Sequence, residues 1–125
     1  MKLNQAMQVA GCCTLAVALL GVGGATQSKK TTKVPYAKVE PLLKAKCISC
    51  HNPERHPGGV NVNSYKELMK SGDKNPTVVP GHPEKSPLIK YVDGSTQPIM
   101  PFKGKPLSKA EVTLLKNWVA AGAKQ

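Results

Sequence analysis

The chain has 125 residues, enough for one domain and too few for two. Aromatic content is 4%, with one Trp, one Phe and three Tyr, which is thin for a self-sufficient core of this length. Lys and Arg outnumber Asp and Glu by 18 to 7, for a formal net charge of +11. The lysines are scattered, only Lys29 and Lys30 are adjacent, and no aromatics interleave with them. That pattern describes a solvated surface able to steer acidic partners, and it argues against a nucleic-acid interface.

Met1 to Ala25 has the make-up of an export signal: Lys2, an apolar run from Val9 to Val22, then the small residues Gly23-Gly24-Ala25 for cleavage. The run is short for a membrane span, so a retained anchor is the weaker alternative. Val9-Ala10-Gly11-Cys12 resembles a lipoprotein lipobox, but most of the apolar run follows the cysteine. Cys12 and Cys13 therefore read as members of that run, and cleavage leaves only Cys47 and Cys50. Residues 26–34 are polar and patternless, a flexible linker. The domain is expected at 35–125.

From Pro35 the pattern is helical, with Tyr36, Val39, Leu42, Leu43 and Cys47 on one face. Pro41 interrupts this run, which predicts a helix beginning properly only near Glu40 with Pro41 in its first turn. At its end stands Cys47-Ile48-Ser49-Cys50-His51. Two thiols three positions apart, followed at once by a histidine, are the pattern of c-type haem attachment. The thiols of Cys47 and Cys50 form thioethers to the haem edge, and His51 supplies an axial nitrogen to the iron. The competing readings fit poorly. A zinc site lacks a second ligand pair, since the other histidines are His56 and His82. A redox dithiol lacks a preceding strand, and a plain disulfide gives no reason for the adjacent His51.

Residues 52–63 hold Pro53, Pro57, Gly58 and Gly59 and form a loop. Ser64-Tyr65-Lys66-Glu67 is a capping box opening a short helix that stops at Gly72, with Tyr65, Leu68 and Met69 inward. Another loop follows, with Val78 and Val79 as wall residues. Ser86-Pro87 starts a helix packing Leu88, Ile89 and Val92 before Gly94. Residues 94–106 are irregular and Pro-rich and contain Met100. Ser108-Lys109-Ala110-Glu111 is a second capping box, and the last helix presents Val112, Leu115, Trp118 and Val119 before Gly122. No strand is expected. The fold class is all-α: about four short helices and long Pro/Gly loops, too much loop to stay compact without a cofactor.

Four residues compete for the sixth coordination position of the iron. Met69 sits at helical spacing beside Leu68 and reads as core. His56 lies too near His51 in sequence to reach the opposite face of the ring. His82, in a Gly-His-Pro turn, is the main rival. Met100 lies in a loop before Pro101, which biases it toward extended backbone that can present its thioether inward. A thioether ligand stabilises reduced iron and raises the potential relative to two nitrogens.

The chain resembles the class I c-type cytochromes, and within them the planctomycete-type cytochrome c domain family. The resemblance runs from about Tyr36 to Lys124. It rests on VEPLLKAKCISCHNP, GGVNVNSYKELMKSG, VVPGHPEKSPLIKYV, MPF and LSKAEVTLLKNWVAAGA. It implies a cytochrome c-like fold around one covalent haem c, thioethers from Cys47 and Cys50, proximal His51 and distal Met100. It also implies that the first and last helices cross near Trp118. His82 departs from the pattern, where an acidic or amide residue is commoner.

The expected function is that of a periplasmic or otherwise exported monohaem electron carrier and not an enzyme. It would act as a monomer, with acidic redox proteins as partners. It would bind no nucleic acid and keep no membrane span after cleavage of the leader. The alternative is haem-based catalysis or small-gas sensing, which needs a displaceable sixth ligand.

Overall fold

The computed structural model describes residues 33–125. The expected leader, Cys12, Cys13 and nearly all of the linker lie outside the described residues. Among the described residues there are four α-helices and no strand: α1 Tyr36–Lys46, α2 Tyr65–Lys70, α3 Pro87–Val92 and α4 Lys109–Ala120. Two 3-10 turns, Pro57–Gly59 and Pro83–Lys85, punctuate the loops. No helix among the described residues is long and apolar enough to cross a membrane.

The helix α1 starts four residues earlier than the sequence pattern predicts, at Tyr36, and carries Pro41 in its interior. Proline there removes one backbone hydrogen bond and crowds the preceding turn. Long-range packing offsets that cost. Tyr36, Val39 and Leu43 are buried on α1, and the Tyr36 ring lies 5.8 Å from that of Trp118 on α4 and 5.3 Å from that of Tyr65 on α2. Three of the chain's five aromatics thus meet where α1 and α4 pack together, with Trp118 fully buried. Two of the three polar tips find carbonyl partners: the Trp118 Nε1–H donates to Lys124 O at 2.8 Å, and the Tyr65 hydroxyl to Ala123 O at 3.0 Å, while the buried Tyr36 hydroxyl has none among the described residues. These bonds tie the chain end onto the core.

The two expected capping boxes behave differently. At α4 the box is complete: Ser108 Oγ accepts from the Glu111 N–H, and Glu111 Oε2 accepts from the Ser108 N–H at 2.7 Å. At α2 only the forward half forms. Ser64 Oγ accepts from the Glu67 N–H, while the Glu67 carboxylate accepts from the Ser64 hydroxyl and the Asn63 amide instead. Asn63 competes for the carboxylate that would have closed the box. Ser86, the N-cap of α3, does not cap with its side chain. Its buried hydroxyl accepts from the Val79 N–H at 2.8 Å and donates to the His82 carbonyl at 3.0 Å, stitching the 78–86 loop together.

Two loops lie back to back on one side of the molecule. The Gly72 N–H donates to Gly59 O at 3.0 Å and the Asp73 N–H to Gly58 O at 3.2 Å. Gly59 (φ +70°) and Gly72 (φ +117°) permit this approach, because a Cβ at either position would collide with Asp73 or Asn75.

Among the described residues one ion pair joins distant elements: Lys116 Nζ of α4 lies 2.7 Å from Asp93 Oδ2 at the end of α3. Hydrogen bonds from Lys116 and then Ser95 hold the Asp93 carboxyl down at about 2, below its ordinary 3.8. A depressed carboxylate contributes stability that is present above the unfolded value and lost as pH falls through the folded one. Acid unfolding of Asp93→Asn should therefore be less steep than wild type between about pH 4 and pH 2. Solvent screening limits the difference to about 1 kcal/mol. Parallel urea titrations at those two pH values measure it, and identical pH slopes would remove the assignment.

Candidate functional site

The attachment motif begins where α1 ends. Cys47 is the C-cap of that helix, its N–H donating to Leu43 O at 2.8 Å. The chain then turns tightly, with the N–H groups of Cys50 and His51 both donating to Cys47 O, at 3.1 and 2.9 Å. Asn52 braces both sides of the motif's exit. Its side-chain amide donates to Ile48 O at 2.8 Å, while its Oδ1 accepts from the N–H groups of Glu54 and Arg55. The loop returns at Val62, whose N–H donates to His51 O at 2.9 Å.

A cavity of about 330 Å³ opens beside this turn, within the size range of small-molecule and cofactor sites. Cys47, His51 and Met100 all line it. The rest of its surface is mostly hydrocarbon, from Val60 and Val62 of the returning loop and Leu88 and Val92 of α3. Asn75 and Thr77 add polar groups. Cys50 is exposed and is not part of the lining; Cys47 is half-buried, and both thiols are free.

His51 Nδ1 lies 3.3 Å from Val60 O. With the proton assigned to Nδ1 as donor, Nε2 keeps its lone pair for a metal. Burial lowers the affinity of the His51 imidazole for a proton; the Val60 contact opposes this, and the cation of Arg55 adds to it. The ring is therefore neutral at neutral pH, the form that ligates iron. Burial, and then the neighbouring Cys50, push the Cys47 thiol up to about 11.

Met100 reaches the cavity from the loop after α3. Its N–H donates to Tyr91 O at 2.9 Å, which returns the loop to the last turn of that helix. The rival sixth ligands lie elsewhere. His82 is exposed, with Nδ1 3.1 Å from Glu84 Oε1, and His56 is exposed before the Pro57–Gly59 turn. Neither lines the cavity. Met69 packs against the hydrophobic core beside Leu68. Among the described residues no three His, Cys, Asp or Glu side chains converge as a metal-ion cluster, so zinc has no ligand set there.

The donor set fits haem: a thiol, a neutral imidazole and a thioether in a cavity otherwise mostly apolar. Sequence reasoning missed Asn52, which acts through its side-chain amide, and Val60 and Tyr91, which act through their backbone carbonyls. Only Asn52 left a signal, in the Asn-Pro step that favours turn initiation.

Residues 47–104 match the protein family described as Planctomycete cytochrome C. No curated protein and no solved structure matches the chain. The matched stretch begins at the first thiol of the motif and ends just beyond the Met100 loop, so it spans the whole cavity lining. Over that segment the chain is similar to the planctomycete cytochrome c family, and a cytochrome c domain implies covalently bound haem.

Proposed function

We propose that the chain is an exported, periplasmic monohaem electron carrier with His51 and Met100 as the two axial ligands. The observation that carries this reading is that His51 and Met100 line the same apolar cavity as Cys47, while His56 and His82 do not. When bound, the haem supplies an iron that gains and loses a single electron. The chain's own part is to hold and insulate that group. Cys47 and Cys50 provide its covalent attachment. Val60 orients the imidazole so that Nε2 is presented and Nδ1 is occupied. Val62, Leu88 and Val92 exclude water, which limits solvent reorganisation when the charge on the iron changes. With His51 and Met100 both holding the iron, the site would offer no open coordination position to a substrate, and transfer to a partner is what would remain.

The partner is an acidic redox protein, drawn by the excess of positive charge, +11 for the whole sequence and one less once the leader with Lys2 is removed. Electron exchange with such a protein should slow as salt rises, and an unchanged rate between low and high ionic strength would remove the electrostatic part of the reading.

One preparation tests the core of the proposal. The intact mass of the exported protein should correspond to one haem and no leader. The reduced form should be low-spin and bind carbon monoxide slowly at neutral pH. Rapid binding would favour haem-based catalysis or gas sensing instead, since both need a displaceable ligand.

A further inference from the structure

The loop carrying Met100 is tied firmly to its own helix. The Thr96 N–H donates to Lys90 O at 3.0 Å and the Met100 N–H to Tyr91 O at 2.9 Å, so both ends of the loop meet at the last turn of α3. Asp93, the C-cap of α3, folds the first corner by accepting from the Ser95 N–H at 3.0 Å and from the Ser95 hydroxyl. None of these bonds fixes α3 and its loop relative to α4. An open groove of about 430 Å³ is bordered by Gly94 and Ile99 of the loop and by Val112 and Lys116 of α4.

The Asp93–Lys116 pair crosses at this groove, with both residues in its lining. The other charged contacts among the described residues are local: the Glu40–Lys44 ion pair within α1 and the hydrogen bond between His82 and Glu84, two residues apart. α3 also packs on α4, and the Gly81 N–H donates to Val119 O at 2.7 Å, which ties the turn before α3 to α4. At the other end of α3, where the Met100 loop begins, the 2.7 Å charge-assisted bond holds it to α4. A chain of contacts then links the two axial candidates. His51 follows Cys47, Cys47 caps α1, α1 packs on α4, and Lys116 of α4 holds Asp93 at the base of the Met100 loop.

We propose that Asp93 and Lys116 are positioning residues: their ion pair clasps the Met100 loop to α4 and sets how readily the thioether leaves the iron. The proposal rests on the His51/Met100 reading above.

Carbon monoxide association with the reduced haem protein measures the fraction of molecules whose thioether has moved away. Lys116→Met should accelerate it about two- to fivefold, the range expected for losing a partly solvated ion pair. Asp93→Asn should do the same, and the double variant should equal either single one, because the two residues act through one bond. Lys116→Arg should stay near wild type. Lys44→Met removes the same charge from the Glu40–Lys44 pair on α1 and should leave the rate unchanged. The clasp is overturned if Lys116→Met binds at the wild-type rate, if Lys44→Met accelerates equally, or if the two single effects add. Met100→Ala separates the two levels. If it leaves the spectrum and the carbon monoxide rate unchanged, the His51/Met100 reading fails and the clasp with it. If it opens the iron while Lys116→Met does not, only the clasp fails.

Discussion

Replacing Cys47 and Cys50 together by alanine should yield a haem-free chain that has lost most of its helix. The cavity beside the motif has a volume of about 330 Å³ and a mostly apolar lining. At about 24 cal/mol per Å³, a closed void of that volume would cost roughly 8 kcal/mol, an upper figure because this cavity is open to water on one side and its walls can relax. A domain of this size has roughly 5–15 kcal/mol in total. Even a fraction of that figure is a large share of the stability of the fold, and a covalent group there supplies core that five aromatic residues do not. Far-UV circular dichroism of the double variant, alongside its intact mass, checks this. Full helicity without haem would show that the polypeptide core is self-sufficient, and would sink the idea that the cofactor completes it.

The parts of this molecule legible in its sequence are those whose chemistry demands contiguous residues. The Cys47-to-His51 motif is one, because its residues are contiguous and fold into a single turn on the Cys47 carbonyl. The Ser108–Glu111 box is another, because a cap and its partner lie three positions apart. What the sequence misplaced depends on partners far along the chain. Pro41 argued for a late start to α1, and the residues that overrule it, Tyr65 and Trp118, lie on α2 and α4. Ser64 and Glu67 carry the same signature as Ser108 and Glu111, yet the neighbouring Asn63 amide diverts the carboxylate. Within the site, Met100 was singled out by its loop and by Pro101, whereas the orientation of His51 comes from the Val60 carbonyl. Every residue has a carbonyl, so no residue type could announce that contact.

Met100→Ala should open the iron while leaving the fold largely in place. Met100 is half-buried and packs at the margin of the core, whose centre is built from Leu43, Leu68, Leu115 and Trp118. Its backbone N–H still donates to Tyr91 O after the substitution, so the loop keeps its closure. The thioether alone is lost. Because sulfur ligation favours reduced iron, the reduction potential should fall by on the order of 0.1 V or more, within the ~0.8 V span over which axial ligands set haem potentials. Carbon monoxide should then bind the reduced protein rapidly. His82→Ala provides the contrast: that side chain is exposed, faces Glu84 and lies outside the cavity lining, so its removal should change neither potential nor spectrum. Spectroelectrochemical titration of the two variants side by side decides between them. An unaltered low-spin spectrum and potential in Met100→Ala, with both altered in His82→Ala, would transfer the sixth position to histidine. It would also require the 81–86 turn to move, because in the present structure the Ser86 hydroxyl holds that turn to the His82 and Val79 backbone.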